Sequence, residues 1–307
     1  LTLSVSSDRK LKKMKKSYLA MHAAIILAGF TGVFGKLIDL NEGLLAWYRV
    51  LFSAIAAYIL LLITKTPSKL RMAEQFAVGK VGIFLAIHWV FFYASIKYAN
   101  ISIGAVCYCL TSFFTAIFEP LINRRKFSMS ELLLSAITLF GISLIFHFDA
   151  SYQLGIVFGV ISSAFAALYT IFNERLVSKH DAKLINFYQM CTGTIGLGLL
   201  MPVYLYFFPT QRLFPSQSDF FYLLLLAIFC TVGLYILFAE SLKRFSAFTV
   251  NLSFNLEPLY AILLAFLFFK EGKEMNASFY IGLLFVMSSV LLQTVISAKK
   301  RYKSLSH

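Results

Sequence analysis

Charge is scarce in this chain. Only 14% of its 307 residues are Asp, Glu, Lys or Arg, and acids are the scarcer kind, with 14 against 28 basic residues. Beside a hydrophobic content of 59%, that shortage excludes a soluble globule, which could not hide so much apolar surface from water. Cysteine is scarce as well. Cys107, Cys109, Cys191 and Cys230 all lie inside apolar runs, and no pair has the two-residue spacing of a metal knuckle or redox motif. They read as reduced packing residues. No Walker-type loop, dinucleotide fingerprint, HExxH or nucleophile elbow occurs, so an ATP-driven pump or a familiar hydrolase lacks its parts. The sequence offers no catalytic, metal or cofactor residues.

What the chain has is apolar runs long enough to cross a bilayer. Runs of about twenty mostly apolar residues fall at 18–39, 43–64, 77–98, 101–122, 129–148, 152–174, 182–208, 219–242, 246–269 and 276–298. That makes ten predicted spans in an all-α membrane protein. The first run follows a basic stretch, as in a signal peptide, but it is too long for the apolar part of one and no small-residue cleavage site follows it. It reads as a span. The turns between spans 3 and 4 and between spans 8 and 9 are so short that those helices must be antiparallel neighbours.

The net charge of +14 does not point to nucleic acid, because the basic residues sit between apolar runs instead of covering one face. They alternate in sides. If the N-terminus is cytoplasmic, the inner segments hold 22 of the 28 Lys and Arg residues, the bias expected of cytoplasmic loops. Both termini are therefore expected inside.

Sliding the chain by 146 residues lays the segment from Trp89 over the segment from Tyr235 without a gap, matching Phe92, Ser95 and Lys97 to Phe238, Ser241 and Lys243. The first helices of the two copies align at a shift nearer 138 to 140, with Gly29 to Lys36 over Ala167 to Glu174 and Tyr48 over Tyr188. Five is an odd number of spans, so the second copy must enter the membrane from the opposite side, making an inverted repeat. The expected organisation is a basic N-terminus (1–17), a first repeat (18–148), a second repeat (152–298) and a basic tail (299–307).

Four features together resemble the drug/metabolite transporter superfamily, whose members are built from two EamA-type repeats of five helices. They are GFTGVFGKL in span 1, AWYRVLF with Arg49 in span 2, SLKRFSAFTVNLSFNLEPLYAILLAFLFFKEG across spans 8 and 9, and the ten-span layout with basic ends. The first copy departs from the pattern, with Ser112 where the family usually has proline and Arg125 where it has glutamate. The resemblance implies alternating-access transport of small organic solutes through a central cavity between two bundles.

Candidate solute-binding residues come from the polar groups inside spans. Glu257 leads, since a charged carboxylate at the middle of a lone span would cost roughly 3 kcal/mol or more, so it faces a protein interior or wet cavity or is protonated; the alternative is a structural buried acid hydrogen-bonded to neighbouring helices. Thr249, Ser253, Glu257 and Tyr260 share one helical face, with Asn251, Asn255 and Pro258 roughly opposite. One polar face is expected at the cavity and the other against a neighbouring helix. Glu257 overlies Thr111, and span 4 carries its own stripe in Tyr108, Thr111, Ser112, Thr115 and Glu119. Serine and threonine also glue helices, which is the alternative for these residues. Trp89, away from the interfacial belt, reads as an aromatic wall beside Tyr235, or else as lipid-facing packing. His88 is a candidate proton relay or a hydrogen-bonded packing residue, and Tyr169 a further candidate.

Three positions have structural expectations. Glu119 should pair with the arginines of the turn after span 4. Arg49 should snorkel, or pair with Asp39 or Glu42 near the outer surface. Gly29, Gly32 and Gly35 should let span 1 approach a neighbour closely.

The expected function is secondary transport, with export the expected direction, of small metabolites such as amino acids in a bacterial plasma membrane. The partners would be a small-molecule solute, the lipid bilayer and protons as candidate coupling ion. The alternatives are an embedded enzyme on lipid-linked substrates, which would need several ionisable groups at one depth, and a non-transporting scaffold.

Overall fold

The computed structural model describes residues 2–66, 69–146, 152–269 and 277–305. Among these there is no strand. Lipid supplies no partner for backbone N–H and C=O groups, so apolar runs of this length must close their hydrogen bonds within helices. The helices are α1 (Thr2–Leu37), α2 (Glu42–Ile63), α3 (Met72–Tyr98), α4 (Ile101–Tyr108), α5 (Leu110–Asn123), α6 (Met129–Phe146), α7 (Gln153–Val177), α8 (Ala182–Phe207), α9 (Gln217–Ala227), α10 (Leu234–Leu242), α11 (Ala247–Phe254), α12 (Glu257–Phe269) and α13 (Ala277–Leu305). A π-helical turn, Ile228–Gly233, joins α9 to α10.

Grouped by membrane crossing, these are the ten expected spans. Eight are long and apolar enough to cross a bilayer, and the apolar stretches Met129–Leu144 and Tyr280–Leu292 supply the two shorter ones. Three expected spans are not continuous helices. Span 4 breaks between α4 and α5 at Cys109, span 9 between α11 and α12 at Asn255 and Leu256, and span 8 is interrupted by its π turn. Pro258 explains the break in span 9, since it has no N–H to donate and its ring crowds the carbonyl of Phe254. Span 4 has Ser112 at the equivalent place and breaks all the same, with the Ser112 hydroxyl taking the Cys109 carbonyl at 2.9 Å. Lys270, Glu271 and Lys273, the ends of the first repeat (147–148) and the first residue of the tenth span lie outside the described residues.

The two copies repeat their caps as well as their spans. Asn41 caps α2 by accepting from the Leu44 N–H at 2.8 Å, and Asp181, 140 positions on, caps α8 by accepting from Lys183 N–H. Asn100 caps α4 through the Ile103 N–H, and Ser246, 146 positions on, caps α11 through Thr249. Each such side chain satisfies a donor that the first helical turn leaves orphaned.

Equivalent helices pair across the molecule, α2 with α8 and α6 with α13, and α4 packs on α12 as its counterpart α11 packs on α5. Within lipid no hydrophobic drive joins helices, so close approach and buried hydrogen bonds do the work. The face of α1 shows this as expected. A Cβ on Gly29 would lie 2.7 Å from Tyr260, on Gly32 2.8 Å from Ile101, and on Gly35 2.6 Å from the Tyr93 ring. At the α6 and α13 seam the hydroxyls of Thr138 and Ser289 meet at 2.8 Å.

Candidate functional site

Two contacts join residues that are 146 positions apart. The Trp89 indole N–H donates to the Tyr235 hydroxyl at 3.1 Å, and the Cys109 thiol lies 4.0 Å from the Asn255 carbonyl oxygen. A residue touches its own counterpart only where the two-fold axis passes, so these contacts mark the axis. The second one also joins the two breaks. The broken helices of spans 4 and 9 therefore cross at their breaks, in the middle of the molecule.

Hydrogen bonds stitch that crossing. Asn255 Nδ2 donates to Ser112 Oγ at 3.2 Å, Asn251 Nδ2 to Thr115 Oγ1 at 2.8 Å, and Thr170 Oγ1 to Asn251 Oδ1 at 3.0 Å. Beside it lies a cavity of about 30 Å³, room for the centres of one or two water molecules. His88, Trp89, Tyr108, Tyr169, Tyr235 and Glu257 line it, together with Arg49 and Phe92, Phe238 and Phe254. The other expected residues lie outside this lining. Thr111, Ser112, Asn251 and Asn255 are buried where α4, α5, α7, α11 and α12 meet, and the Ser253 hydroxyl bonds back to the Thr249 carbonyl at 2.8 Å. The break in span 9 separates Ser253 from Glu257, which is why the shared face drawn for a straight helix does not hold across it.

Two aromatic pairs bound the chamber. Phe92 meets Tyr108 edge-on with ring centroids 6.3 Å apart, and their counterparts Phe238 and Phe254 meet edge-on at 5.2 Å. Both pairs are 146 positions apart, so the chamber has matching aromatic walls. Tyr169 reinforces the second, 6.0 Å from the Phe238 ring. Its hydroxyl is held by a ring of bonds with Gln189 and Asn173: it donates to Gln189 Oε1 at 3.4 Å, Gln189 Nε2 donates to Asn173 Oδ1 at 3.0 Å, and Asn173 Nδ2 donates back to it at 3.2 Å.

His88 is a bonded wall residue, its Nδ1 2.8 Å from Ser162 Oγ and 3.0 Å from the Ser162 carbonyl. Trp89 is 1% exposed, which rules out the lipid-facing alternative. Glu119 pairs with Arg125 at 3.4 Å as expected.

Arg49 overturns its expectation. It neither snorkels nor meets Asp39 or Glu42, because Asp39 pairs with Arg212 at 2.6 Å and Glu42 accepts from the Tyr204 hydroxyl at 2.9 Å. Instead Arg49 is 1% exposed and reaches inward. Its Nε donates to Thr231 Oγ1 at 2.9 Å, one terminal nitrogen to the Tyr93 hydroxyl at 2.7 Å and the other to the Cys230 carbonyl at 2.8 Å, and the guanidinium stacks 3.8 Å from the Trp89 ring centroid. The sequence held a signal for this. Seven residues into α2, Arg49 lies roughly 10 Å below the start of the helix, beyond easy snorkelling, and it aligns with Gln189, another buried polar residue.

The two faces of the molecule differ. On the face of Asp39, Asp219 Oδ1 accepts from Asp39 N–H at 2.9 Å, Tyr48 donates to the Leu213 carbonyl at 3.1 Å and Lys97 to the Leu40 carbonyl. On the other face the N-terminal part of α1, the end of α7 and the end of α10 enclose a vestibule of about 980 Å³, lined by Lys16, Glu174, Lys179, His180, Glu240, Lys243 and Arg244 among others. Leu237 lines the vestibule while Leu234, Tyr235 and Phe238 line the chamber. One short helix, α10, thus separates the two spaces.

Ten spans in two repeats of five around a polar chamber define an integral membrane transporter. The profile of the EamA-like transporter family matches residues 15–147 and again 153–295, and the chain belongs to that family. An uncharacterized transporter YxxF of Bacillus subtilis (strain 168) is 24% identical over 272 residues, covering 85% of this chain and 83% of that one. A GDP-fucose transporter 1 of Dictyostelium discoideum is 25% identical over 170 residues, 52% of this chain and 46% of its own length. A solved crystal structure superposes with a TM-score of 0.69 at 13% identity, over 92% of this chain and 98% of its own, a likeness of fold.

Proposed function

We propose that the protein is a secondary transporter that exports small organic metabolites such as amino acids by alternating access, in a bacterial plasma membrane with both termini cytoplasmic. The observation that carries this reading is the inequality of the two faces. One is laced shut by bonds from its loops to α2 and α9, and the other holds a wide vestibule ending at α10. Because the repeats are inverted, exchanging their conformations would close the vestibule and open the opposite face around a fixed centre. The vestibule lies among basic segments, so it would load from the cytoplasm.

Glu257 is the proposed working group of the chamber. It sits at the first position of α12, where the helix dipole favours negative charge, and it faces a space with room for water. In this reading it binds a solute ammonium or takes up a proton as the chamber alternates, with His88, Trp89, Tyr108, Tyr169 and Tyr235 as contact residues. Asn251, Asn255, Ser112, Thr111 and Ser253 support the crossing behind them.

Counterflow in proteoliposomes tests this, since a carrier exchanges labelled solute without net chemistry. Accumulation of a labelled amino acid is expected; a folded protein that exchanges no small metabolite would end the transport reading. Uptake by Glu257→Gln that matches the parent at every pH would remove Glu257 from the mechanism.

A further inference from the structure

Arg49 is a cation in the interior of a membrane protein that meets only neutral acceptors. Its three bonds go to two hydroxyls and a carbonyl, and no carboxylate lies within ion-pair distance of it among the described residues. A buried charge with no carboxylate bonded to it is expensive. One N–H on each terminal nitrogen remains without a bond there, and the residue lines the chamber, not the lipid surface.

The fold goes out of its way to place this group. The π turn of span 8 shifts backbone hydrogen bonding to the i−5 register, as where the Leu234 N–H donates to the Phe229 carbonyl, and the Thr231 hydroxyl donates to the Leu226 carbonyl at 2.9 Å. The turn presents the Cys230 carbonyl and the Thr231 hydroxyl side by side to the guanidinium. Such turns are rare and concentrate at functional positions. Trp89 covers one face of the guanidinium, so its position and its plane are both set before any solute arrives. A fixed planar fork of donors matches a carboxylate well.

Glu257 stands in the same wall, carried by the other repeat, near enough to feel the Arg49 charge but not within ion-pair distance of it. The chamber therefore presents a separated cation and anion, one from each half of the protein. We infer that Arg49 is the anion anchor of the chamber, binding the carboxylate of a small zwitterionic solute whose ammonium faces Glu257. This rests on the transport reading above and narrows it. A solute held at both ends would bridge the two repeats across their axis once the chamber widens in the alternating cycle, and a neutral or purely cationic solute would leave Arg49 without a bonded carboxylate.

The test uses the full chain in proteoliposomes and runs first on the unaltered protein. Labelled amino acids are screened in counterflow, and each one exchanged is competed with its primary amide and its decarboxylated amine, which lack the carboxylate, and with its N-acetyl derivative, which lacks the ammonium. The amide and amine are expected to compete at least about tenfold less well than the parent acid. In Arg49→Gln that discrimination should shrink to within about threefold, with Arg49→Lys between the two, since an ammonium supplies charge without the fork. In Glu257→Gln the discrimination against the N-acetyl derivative should shrink instead. Amides or amines that compete as well as the acids, or are exchanged in their place, would overturn the anchor and leave the transporter standing. So would an Arg49→Gln protein that keeps full discrimination. Exchange of none of these solutes would overturn the zwitterion reading along with amino-acid transport. Should Arg49→Gln fail to fold, the analogue series on the unaltered protein still decides.

Discussion

Trp89 and Tyr235 occupy equivalent places in the two repeats and are hydrogen-bonded to each other at 3.1 Å, their rings edge-on with centroids 5.4 Å apart. The pair ties the repeats together at the centre of the molecule. Tyr235→Phe leaves the buried indole donor without its partner and should cost about 1–3 kcal/mol. A double-mutant cycle with Trp89→Phe, read from reversible unfolding in mixed micelles, should return a coupling energy of about 0.5–1.5 kcal/mol. Additive single effects would mean that the bond does not form.

Gly82 sits where α3 crosses α8 with nothing between the backbones. A Cβ there would lie 2.4 Å from the Gln189 carbonyl oxygen and 2.6 Å from its Cα. Backbone cannot swing aside as a side chain can, so Gly82→Val should destabilise the protein by about 1–3 kcal/mol. Gly196→Ala on the same α8, whose nearest neighbour would be 3.8 Å away, should leave the melting temperature nearly unchanged. Equal effects of the two in a thermal melt would refute the packing described for this seam.

The closed face depends on Asp219. Its carboxylate accepts from Asp39 N–H at 2.9 Å, Ser216 N–H at 3.0 Å and Ser216 Oγ at 2.6 Å. The neighbouring ion pair of Arg212 and Asp39 is exposed and should contribute little. Asp219→Ala should favour opening on this side, by about fivefold in population for each kcal/mol lost. Cys230, buried beside Arg49, is the reporter. With the other three cysteines replaced by alanine, its labelling by a membrane-impermeant maleimide should rise several-fold in Asp219→Ala and hardly at all in Arg212→Ala; the reverse order would assign the latch to the ion pair.

The ring of Tyr169, Asn173 and Gln189 is closed, so removing one member orphans the other two. Gln189→Leu should lower stability by about 1–3 kcal/mol through the buried Asn173 amide alone. Adding Asn173→Leu and Tyr169→Phe should recover part of that loss, because three apolar groups leave no orphan, and denaturant unfolding of the single and triple variants distinguishes this from simple loss of packing. No recovery would mean that the amides act separately.

Much of the architecture was legible because a bilayer imposes length. About twenty apolar residues are needed to cross it, so the ten spans could be counted, and odd parity then made the repeat inverted. Glu257, His88, Trp89 and Tyr235 were legible because polar or amphipathic groups inside a span need a reason to be there. The breaks were less so. Pro258 announces one, but Cys109 and Ser112 do not announce the other, whose cause is a hydroxyl bond to a local carbonyl and a cross-bond from Asn255. The stripes drawn on straight helices therefore put Ser253 and Thr111 on the faces of Glu257 and Tyr108, whereas the chamber takes only Glu257 and Tyr108.

By itself the amino-acid order determined how often the chain crosses the membrane, that it does so as two related halves, and which few polar groups it carries inward, since hydropathy and chain length suffice for each. Only the folded molecule decided which of those groups share a space. Arg49 finds its partners 44, 181 and 182 positions away, on a face created by a π turn and a helix crossing. Contacts of that range arise where backbones pack within a few ångströms, and no local pattern encodes them.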